Sequence, residues 1–127
     1  MTDSQTIYFN ESPSVVTLSG CEIYTDSDVS YLKLSSGETG GNCTSDSVTA
    51  DDNVIQCELR GKLNYPNQEL CTFEVSNNGG STWESITLGS LHTFSSSGSQ
   101  VRFRINIVGD STHNPIFESM CLLYKTG

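Results

Sequence analysis

The chain has 127 residues, of which 35% are hydrophobic, and it carries a formal net charge of -9 at pH 7. This length is typical of one domain, so we expect a single domain over residues 1–127. An acidic surface repels phosphate groups, which argues against DNA or RNA as a partner. Apolar runs fall short of the roughly 20 residues of a membrane helix, and the first ten residues lack the pattern of a signal peptide. We therefore expect no membrane association.

Apolar residues recur at every second position in several segments, and turn residues separate these segments. This period is that of a strand with one buried and one wet face, and the regular spacing of turns favours two packed sheets. The sequence therefore predicts an all-β fold, an antiparallel β-sandwich or jelly roll. The residues predicted to point inward are Ile55, Cys57, Leu59, Cys71, Phe73, Val75, Val101, Phe103, Ile105, Ile107, Met120, Leu122 and Tyr124.

The acidic charge is concentrated in the first part of the chain. Up to Asp52 there are nine acidic residues and one basic residue, whereas the remainder has six acidic and five basic. We expect residues 1–47 to form extra strands near 7–9, 15–18, 21–25 and 29–34, followed by a flexible linker at 35–45, where glycine and serine are frequent. Residues 48–127 are predicted to form the regular core of the sandwich.

The five cysteines lack a C-x-x-C pair and are odd in number. This argues against a zinc site and against a complete disulfide framework. Cys57, Cys71 and Cys121 lie in strand-like runs and are expected to act as small buried hydrophobic residues. A Cys21–Cys43 disulfide is an alternative that the sequence leaves open.

Several acidic loops contain the hard oxygen ligands that Ca²⁺ prefers. They are residues 26–28, Asp46 with Asp51 and Asp52, and Asp110 with Asn114. None of them has EF-hand spacing, so we interpret these residues as solvated turns and expect no metal or other cofactor. Calcium remains the alternative at these loops.

The sequence lacks the local motifs that indicate an enzyme. There is no G-x-S-x-G turn and no phosphate-binding glycine loop, and the two histidines, His92 and His113, stand isolated in the sequence. A hydroxyl nucleophile needs a histidine and an acid within reach. We therefore expect a protein without enzymatic activity.

One local motif is recognisable at residues 76–83, which read SNNGGSTW. It resembles the Asp-box, S-x-D-x-G-x-T-W, of sialidases and other β-proteins, with Asn78 in place of the aspartate. In sialidases these boxes lie away from the catalytic centre, so the resemblance implies a structural hairpin. A sialidase propeller needs several four-stranded blades, and this chain is too short for that. The residues that carry the motif are Ser76, Asn78, Gly80, Thr82 and Trp83.

A wider resemblance covers residues 48–124. The order TFEVSNNGGSTWESI, then RINIVGD at 104–110, then NPIFESMCLLY is similar to β-sandwich modules of bacteriophage tail, fibre and head-surface proteins. Such modules resemble carbohydrate-binding jelly rolls. The resemblance implies a structural component of a virion, made in the host cytoplasm, such as a head-decoration, spike or tail protein.

The expected partners of such a component are other virion proteins or copies of itself, often as a homotrimer. The final strand-like segment is apolar on both faces, which marks it as a candidate contact surface. The residues proposed for this contact are Ile116, Phe117, Cys121 and Leu123.

The alternative function is a carbohydrate-binding module that recognises a host surface or a polysaccharide. Aromatic side chains that face solvent would contact the sugar. The candidates are Tyr24, Tyr31 and Tyr65, whereas Trp83 is expected to be buried.

Overall fold

The computed structural model describes residues 3–8 and 16–127. Within these residues the secondary structure consists of β-strands, and none of them forms a helix able to cross a membrane. Phe9 and Val15, which lie in two predicted strands, are outside the described residues. The strands are β1 (Asp3–Tyr8), β2 (Val16–Ser19), β3 (Cys21–Asp26), β4 (Val29–Leu34), β5 (Gly40–Ser45), β6 (Val48–Thr49), β7 (Val54–Leu63), β8 (Thr72–Ser76), β9 (Glu84–Ile86), β10 (His92–Thr93), β11 (Gln100–Val108) and β12 (Phe117–Thr126).

The strands form two antiparallel sheets that pack face to face. The first sheet has the order β10-β7-β12-β4-β3, and β1 also pairs with β12. The second sheet has the order β2-β5-β11-β8-β9, and β6 also pairs with β11. Each sheet turns the apolar face of its strands toward the other, because this removes those side chains from water. The predicted all-β antiparallel sandwich is confirmed.

The core follows the predicted alternation closely in the second sheet. The four inward residues of β11, from Val101 to Ile107, have no exposed surface, and Phe73 and Val75 of β8 lie beside them. Residues before position 48 contribute as well, because Leu32 of β4 and Cys43 of β5 are also fully buried. Strands β2 to β5 are therefore distributed over both sheets and supply part of the core.

One inward residue was predicted wrongly at the start of β7. Ile55 is 39% exposed, whereas its neighbour Val54 is 1% exposed. The pairing with β12 explains the difference, since Lys125 lies opposite Gln56 and Thr126 lies opposite Val54, which leaves Ile55 without an opposite residue. A β-bulge of this kind inserts one residue into the strand and reverses which side chains face the core.

The prediction of a flexible linker at 35–45 is wrong over its second half. Residues 40–45 form β5, which lies between β2 and β11 in the second sheet. The glycines serve close packing here, because a Cβ atom on Gly41 would lie 2.6 Å from the carbonyl oxygen of Ser19 and 2.8 Å from that of Gly20. Glycine at a close approach of two backbones looks like a linker in the sequence.

The last strand, β12, is apolar on both faces because it lies in the interior of the first sheet. It pairs with β7 on one side and with β1 and β4 on the other. Phe117 is fully buried in the core, so its prediction as an oligomer contact is wrong. Ile116, Cys121 and Leu123 are half-buried, and their role in a contact stays a prediction.

All five cysteines are free thiols. Cys57 and Cys71 are buried as predicted, whereas Cys121 is half-buried on the outer side of β12. Burial raises the pKa of the Cys43 and Cys57 thiols to about 12. These two thiols are therefore protonated near neutral pH and have little nucleophilic character.

Candidate ligand-binding site

The hairpin at residues 76–83 is closed by its own side chains. The Asn78 Oδ1 atom accepts hydrogen bonds from Ser76 Oγ at 2.8 Å and from the Thr82 backbone N–H at 3.0 Å. Asn78 Nδ2 donates to Thr82 Oγ1 at 2.7 Å, and the Gly80 N–H donates to Ser76 Oγ at 2.9 Å. Gly79 and Gly80 have φ angles of 72° and 96°, which glycine adopts readily. The amide of Asn78 thus supplies the acceptor that the aspartate supplies in an Asp-box.

Replacing Asn78 with alanine is expected to lower the free energy of unfolding by about 1–3 kcal/mol, because hydrogen-bonding groups of the turn lose their partner. Asn78→Asp keeps the acceptor and is expected to change it by less than about 1 kcal/mol, since Thr82 Oγ1 can donate in turn. Urea denaturation of both variants measures the difference. Equal destabilisation by the two substitutions would contradict a turn held by the Asn78 acceptor.

Trp83 lies on the outer face of the second sheet, where it is half-buried, so the expectation of a buried tryptophan is wrong. The Arg104 guanidinium carbon is 4.3 Å from the centroid of its ring. Arg104 is held in place by Glu74, whose Oε1 atom lies 3.0 Å from Nε and 2.9 Å from Nη2. This cation–π contact fixes the end of the hairpin to β11, and the Arg104 guanidinium covers one face of the indole ring.

Tyr24 and Tyr31, two of the predicted ligand contacts, lie side by side on the first sheet. They are opposite each other in the β3–β4 pair, with ring centroids 5.4 Å apart and planes tilted by 42°. Tyr24 is 41% exposed. The Lys33 ammonium lies 4.5 Å from the Tyr24 centroid, so the protein's own cation already occupies part of this aromatic surface.

Tyr65, the third predicted contact, lies apart from this pair at the mouth of a cleft of about 370 Å³. The cleft, hereafter the Tyr65 cleft, opens between the loop 64–71 and the edge of the second sheet at β8 and β9. Its volume falls within the range of small-molecule sites. The residues that line it are Tyr65, Gln68, Glu69, Cys71, Thr72, Phe73, Ser85, Ile86, Thr87 and Leu88.

The Tyr65 cleft combines an apolar wall with polar groups that are open to a ligand. Tyr65 is 61% exposed and Phe73 is 7% exposed, so one ring stands at the mouth and the other lies deep in the wall. Gln68 Oε1 is buried and has no hydrogen-bond partner in the described part of the chain. An unpaired buried acceptor costs about 1–3 kcal/mol. Reorientation of this amide toward a hydroxyl donor would recover that free energy.

Glu69 connects the cleft to a charged cluster, which consists of Glu69, Asp110 and His113. His113 Nδ1 lies 2.9 Å from Asp110 Oδ1, and His113 Nε2 lies 3.5 Å from Glu69 Oε2. The hydrogen bond with Asp110 is the main cause that raises the pKa of His113 above its ordinary value. The same bond, with those from Thr112, lowers the pKa of Asp110 well below its usual range. Protonated His113 therefore bridges two carboxylates.

Asn64 fixes the base of the loop 64–71. Its Nδ2 atom donates to the Asn114 carbonyl oxygen at 3.0 Å, and its Oδ1 atom accepts from the Ile116 N–H at 2.6 Å. The Asn64 N–H also donates to the Ile116 carbonyl oxygen at 3.2 Å. The loop that carries Tyr65 and Gln68 is thus attached to the segment before β12.

A second polar cluster lies at the end of the sandwich, around Glu84. Its carboxylate accepts hydrogen bonds from the backbone N–H of Ser95 at 3.1 Å and lies 3.0 Å from His92 Nε2 and 2.7 Å from Ser96 Oγ. Burial opposes ionisation of Glu84, but these hydrogen bonds outweigh it and lower the pKa to about 2. Asn77, fully buried beside Ser96, donates to the carbonyl oxygens of Val54 and Ser96 at 2.9 Å each. The cluster therefore joins the two sheets at this end.

Some oxygen atoms of the loops that the sequence suggests as calcium sites already take part in hydrogen bonds within those loops. Asp110 Oδ1 accepts from the backbone N–H groups of Thr112 and His113 at 2.8 Å each, and Ser27 Oγ donates to Asp26 Oδ1 at 3.3 Å. In residues 16–127, no three His, Cys, Asp or Glu residues converge in a group able to hold a metal ion. Calcium binding stays a sequence-based alternative.

Most of the residues that line the Tyr65 cleft were not found by sequence reasoning. Gln68 and Glu69 lie in an irregular loop, Thr72 and Ser85 belong to two different strands, and Thr87 directly follows β9. Of the polar and aromatic residues at the cleft, the sequence predicts Tyr65 alone as a ligand contact, as an aromatic residue expected to face solvent. No spacing rule links these positions, because they meet only when β9 pairs with β8.

Comparison with solved structures gives distant similarities. No family model matches the chain, and no curated protein matches it. Among solved structures, a GH26-CBM35 β-(1,4)-mannanase of Podospora anserina is similar with 15% identity and a TM-score of 0.46, over 100% of this chain and 29% of that one. CENP-C of Drosophila melanogaster, in its complex with CAL1, gives 10% identity and a TM-score of 0.30, over 83% of this chain and 80% of that one.

The cupin domain of the same CENP-C gives 9% identity and a TM-score of 0.28, over 83% of this chain and 75% of that one. This chain thus spans less than a third of the length of the mannanase chain. At these identities, the ligands and partners named for those proteins do not carry over to this chain.

Proposed function

We propose that this protein binds carbohydrate without transforming it, and that the Tyr65 cleft is the binding site. The observation that carries this proposal is the exposed Tyr65 ring at the mouth of a cleft with an apolar wall and several hydroxyl and amide groups. A binding role also agrees with the two histidines, each of which has its Nε2 atom in contact with a glutamate carboxylate, at 3.0 Å for His92 and 3.5 Å for His113.

The chemistry of a pyranose ring fits this lining. A sugar presents a face of C–H groups, which packs on an aromatic ring, and a rim of hydroxyls, which need hydrogen-bond partners. Tyr65 offers the ring, and Ile86 and Leu88 offer further apolar surface in the lining of the cleft. The Gln68 amide and the Thr72 hydroxyl offer polar partners for the sugar hydroxyls.

The Tyr65 cleft suits a sugar better than the Tyr24–Tyr31 pair does. The pair lies on the face of a sheet, and the Lys33 ammonium is placed over one of its rings. A flat surface buries one side of a ligand, whereas a cleft buries most of it and can direct hydrogen bonds from several sides. Substitutions of Tyr65 and Tyr24 are expected to change sugar affinity differently depending on which of the two sites binds the sugar.

A role in a virion, with other virion proteins or a homotrimer as the assembled form, stays a prediction from the sequence resemblance. Carbohydrate binding is compatible with it, because surface proteins of phages also bind sugars. Sugar binding in the Tyr65 cleft is expected wherever the protein is located.

Replacing Tyr65 with alanine is expected to weaken sugar binding at least about tenfold, because the ring supplies most of the apolar contact with the sugar face. The measurement is isothermal titration of a panel of soluble oligosaccharides of glucose, mannose, xylose, galactose and N-acetylglucosamine. Tyr24→Ala is the matched control, since it removes an exposed tyrosine of the first sheet and leaves the cleft intact. Its affinity is expected to stay within about twofold of the wild type.

Two results would count against the proposal. The absence of heat with every oligosaccharide would reject carbohydrate binding. Loss of affinity in Tyr24→Ala with unchanged affinity in Tyr65→Ala would move the site to the β3–β4 hairpin. Circular dichroism of both variants shows whether the fold is retained, so that a loss of binding is not confused with unfolding.

A further inference from the structure

We infer that the Tyr65 cleft prefers sugars that carry a free, protonated amino group over neutral sugars, and that it disfavours sugar acids. This inference rests on the proposed function and names the ligand class of the same cleft. Glu69 is the residue that determines this preference among sugars.

The charge of the cleft has a single origin among its described lining residues. Glu69 is the one charged side chain there, and that side chain is 60% exposed. The other lining residues are hydroxyl, amide, thiol, aromatic and aliphatic, and they are neutral near pH 7. A ligand in the cleft therefore meets one negative charge and no positive charge from the lining.

Pairing with His113 does not cancel this charge. His113 Nε2 is 3.5 Å from Glu69 Oε2, but its other nitrogen is held 2.9 Å from Asp110. The cluster of Glu69, Asp110 and His113 has a net charge of -1 when the imidazole is protonated and -2 when it is neutral. The mouth of the cleft is thus negative in either state, which favours an ammonium group and repels a carboxylate.

The position of Glu69 also suits a direct contact with the ligand. It follows Gln68, which lines the cleft and has a buried Oε1 atom, and the same loop carries the Tyr65 ring. A sugar stacked on Tyr65 would bring its ring substituents toward this loop. A carboxylate that accepts from an ammonium forms a stronger hydrogen bond than one that accepts from a neutral hydroxyl or amide.

The test compares two oligosaccharides with the same backbone, glucosamine tetramer and N-acetylglucosamine tetramer, by isothermal titration at pH 6 and 50 mM salt. The wild type is expected to bind the free amine about three- to tenfold more tightly than the acetylated form. A glucuronic acid oligomer of the same length is expected to bind more weakly than either. Glu69→Gln should reduce the ratio between amine and acetylated form to about one, through a loss of affinity for the amine.

Glu118→Gln is the matched control for net charge. Glu118 is a partly exposed glutamate of β12, paired with Lys62 at 3.1 Å, and it does not line the cleft. The amine preference should persist in this variant. Loss of the preference in Glu118→Gln as well would assign it to the overall acidity of the protein and overturn the inference.

The outcomes also separate this inference from the proposed function. Binding of both tetramers with equal affinity, abolished by Tyr65→Ala, would overturn the amine preference and leave carbohydrate binding standing. Binding that is unaffected by Tyr65→Ala would reject the cleft itself. A preference for the amine that survives in Glu69→Gln would show that another group recognises it.

Discussion

Replacing Gly98 with alanine is expected to lower the free energy of unfolding by about 3 kcal/mol or more, since the new methyl group would overlap fixed backbone. A Cβ atom at this position would collide with the Asn77 carbonyl oxygen and lie 2.8 Å from the Asn77 carbonyl carbon and 2.9 Å from the Asn78 Cα atom. Neither backbone can retreat, because the Asn77 carbonyl accepts from the Gln100 N–H at 3.1 Å and the Gly98 carbonyl accepts from the Val54 N–H at 2.8 Å.

The measurement is urea denaturation followed by the fluorescence of Trp83, the one tryptophan in the chain. Gly40→Ala is the matched control, because a Cβ atom there would lie 3.8 Å from its nearest neighbour, the Ile107 carbonyl oxygen. Its stability is expected to stay within about 1 kcal/mol of the wild type. Equal stabilities of the two variants would mean that Gly98 does not pack against Asn77 as described.

The second large expected effect is a loss of folding stability at acidic pH. Hydrogen bonds to the ionised Glu84 lower its pKa from 4.5 to about 2, so it contributes stability that is fully present above pH 4.5. This contribution, roughly 2–3 kcal/mol, is lost as the pH falls from about 4.5 toward 2, because the carboxyl must then bind a proton. Glu84→Gln is expected to be less stable than the wild type at pH 7 by about 2 kcal/mol, since the amide cannot accept the same set of hydrogen bonds.

Denaturation at pH 7, 4 and 3 tests this expectation. The difference in unfolding free energy between the wild type and Glu84→Gln should shrink steadily as the pH falls. Asp110 also has a lowered pKa, but it titrates in both proteins, so the difference isolates Glu84. A difference that stays constant from pH 7 to pH 3 would show that Glu84 is not held as an anion.

The alternation of apolar residues was sufficient to predict the fold class and much of the core. It worked in β11 because each inward residue there is opposed by a residue of a regular neighbour, with no insertion along the pair with β8. It failed at Ile55, where a bulge adds one residue that hydrophobicity cannot reveal, since both Val54 and Ile55 are apolar. It also failed at Gly41, where a close backbone approach has the composition of a linker.

The candidate site was less predictable than the fold. The hairpin at 76–83 is a local structure, and its hydrogen bonds join residues at most four positions apart, so the motif could be recognised in the sequence. The Tyr65 cleft depends on contacts between distant segments, such as the pair of His113 with Glu69. Such sites have no signature in a single sequence, because the spacing between their residues is set by the loops that separate them.

The position of β12 has a consequence for how the protein reaches its fold during synthesis. This strand is the last of the twelve described, yet β7, β4 and β1 all pair with it. Until residues 117–126 have left the ribosome, these three strands expose unpaired edges, which are templates for association between chains. The first sheet therefore cannot complete its pairing before β12 has been synthesised. A chain truncated before Phe117 is expected to aggregate rather than to form a smaller folded domain.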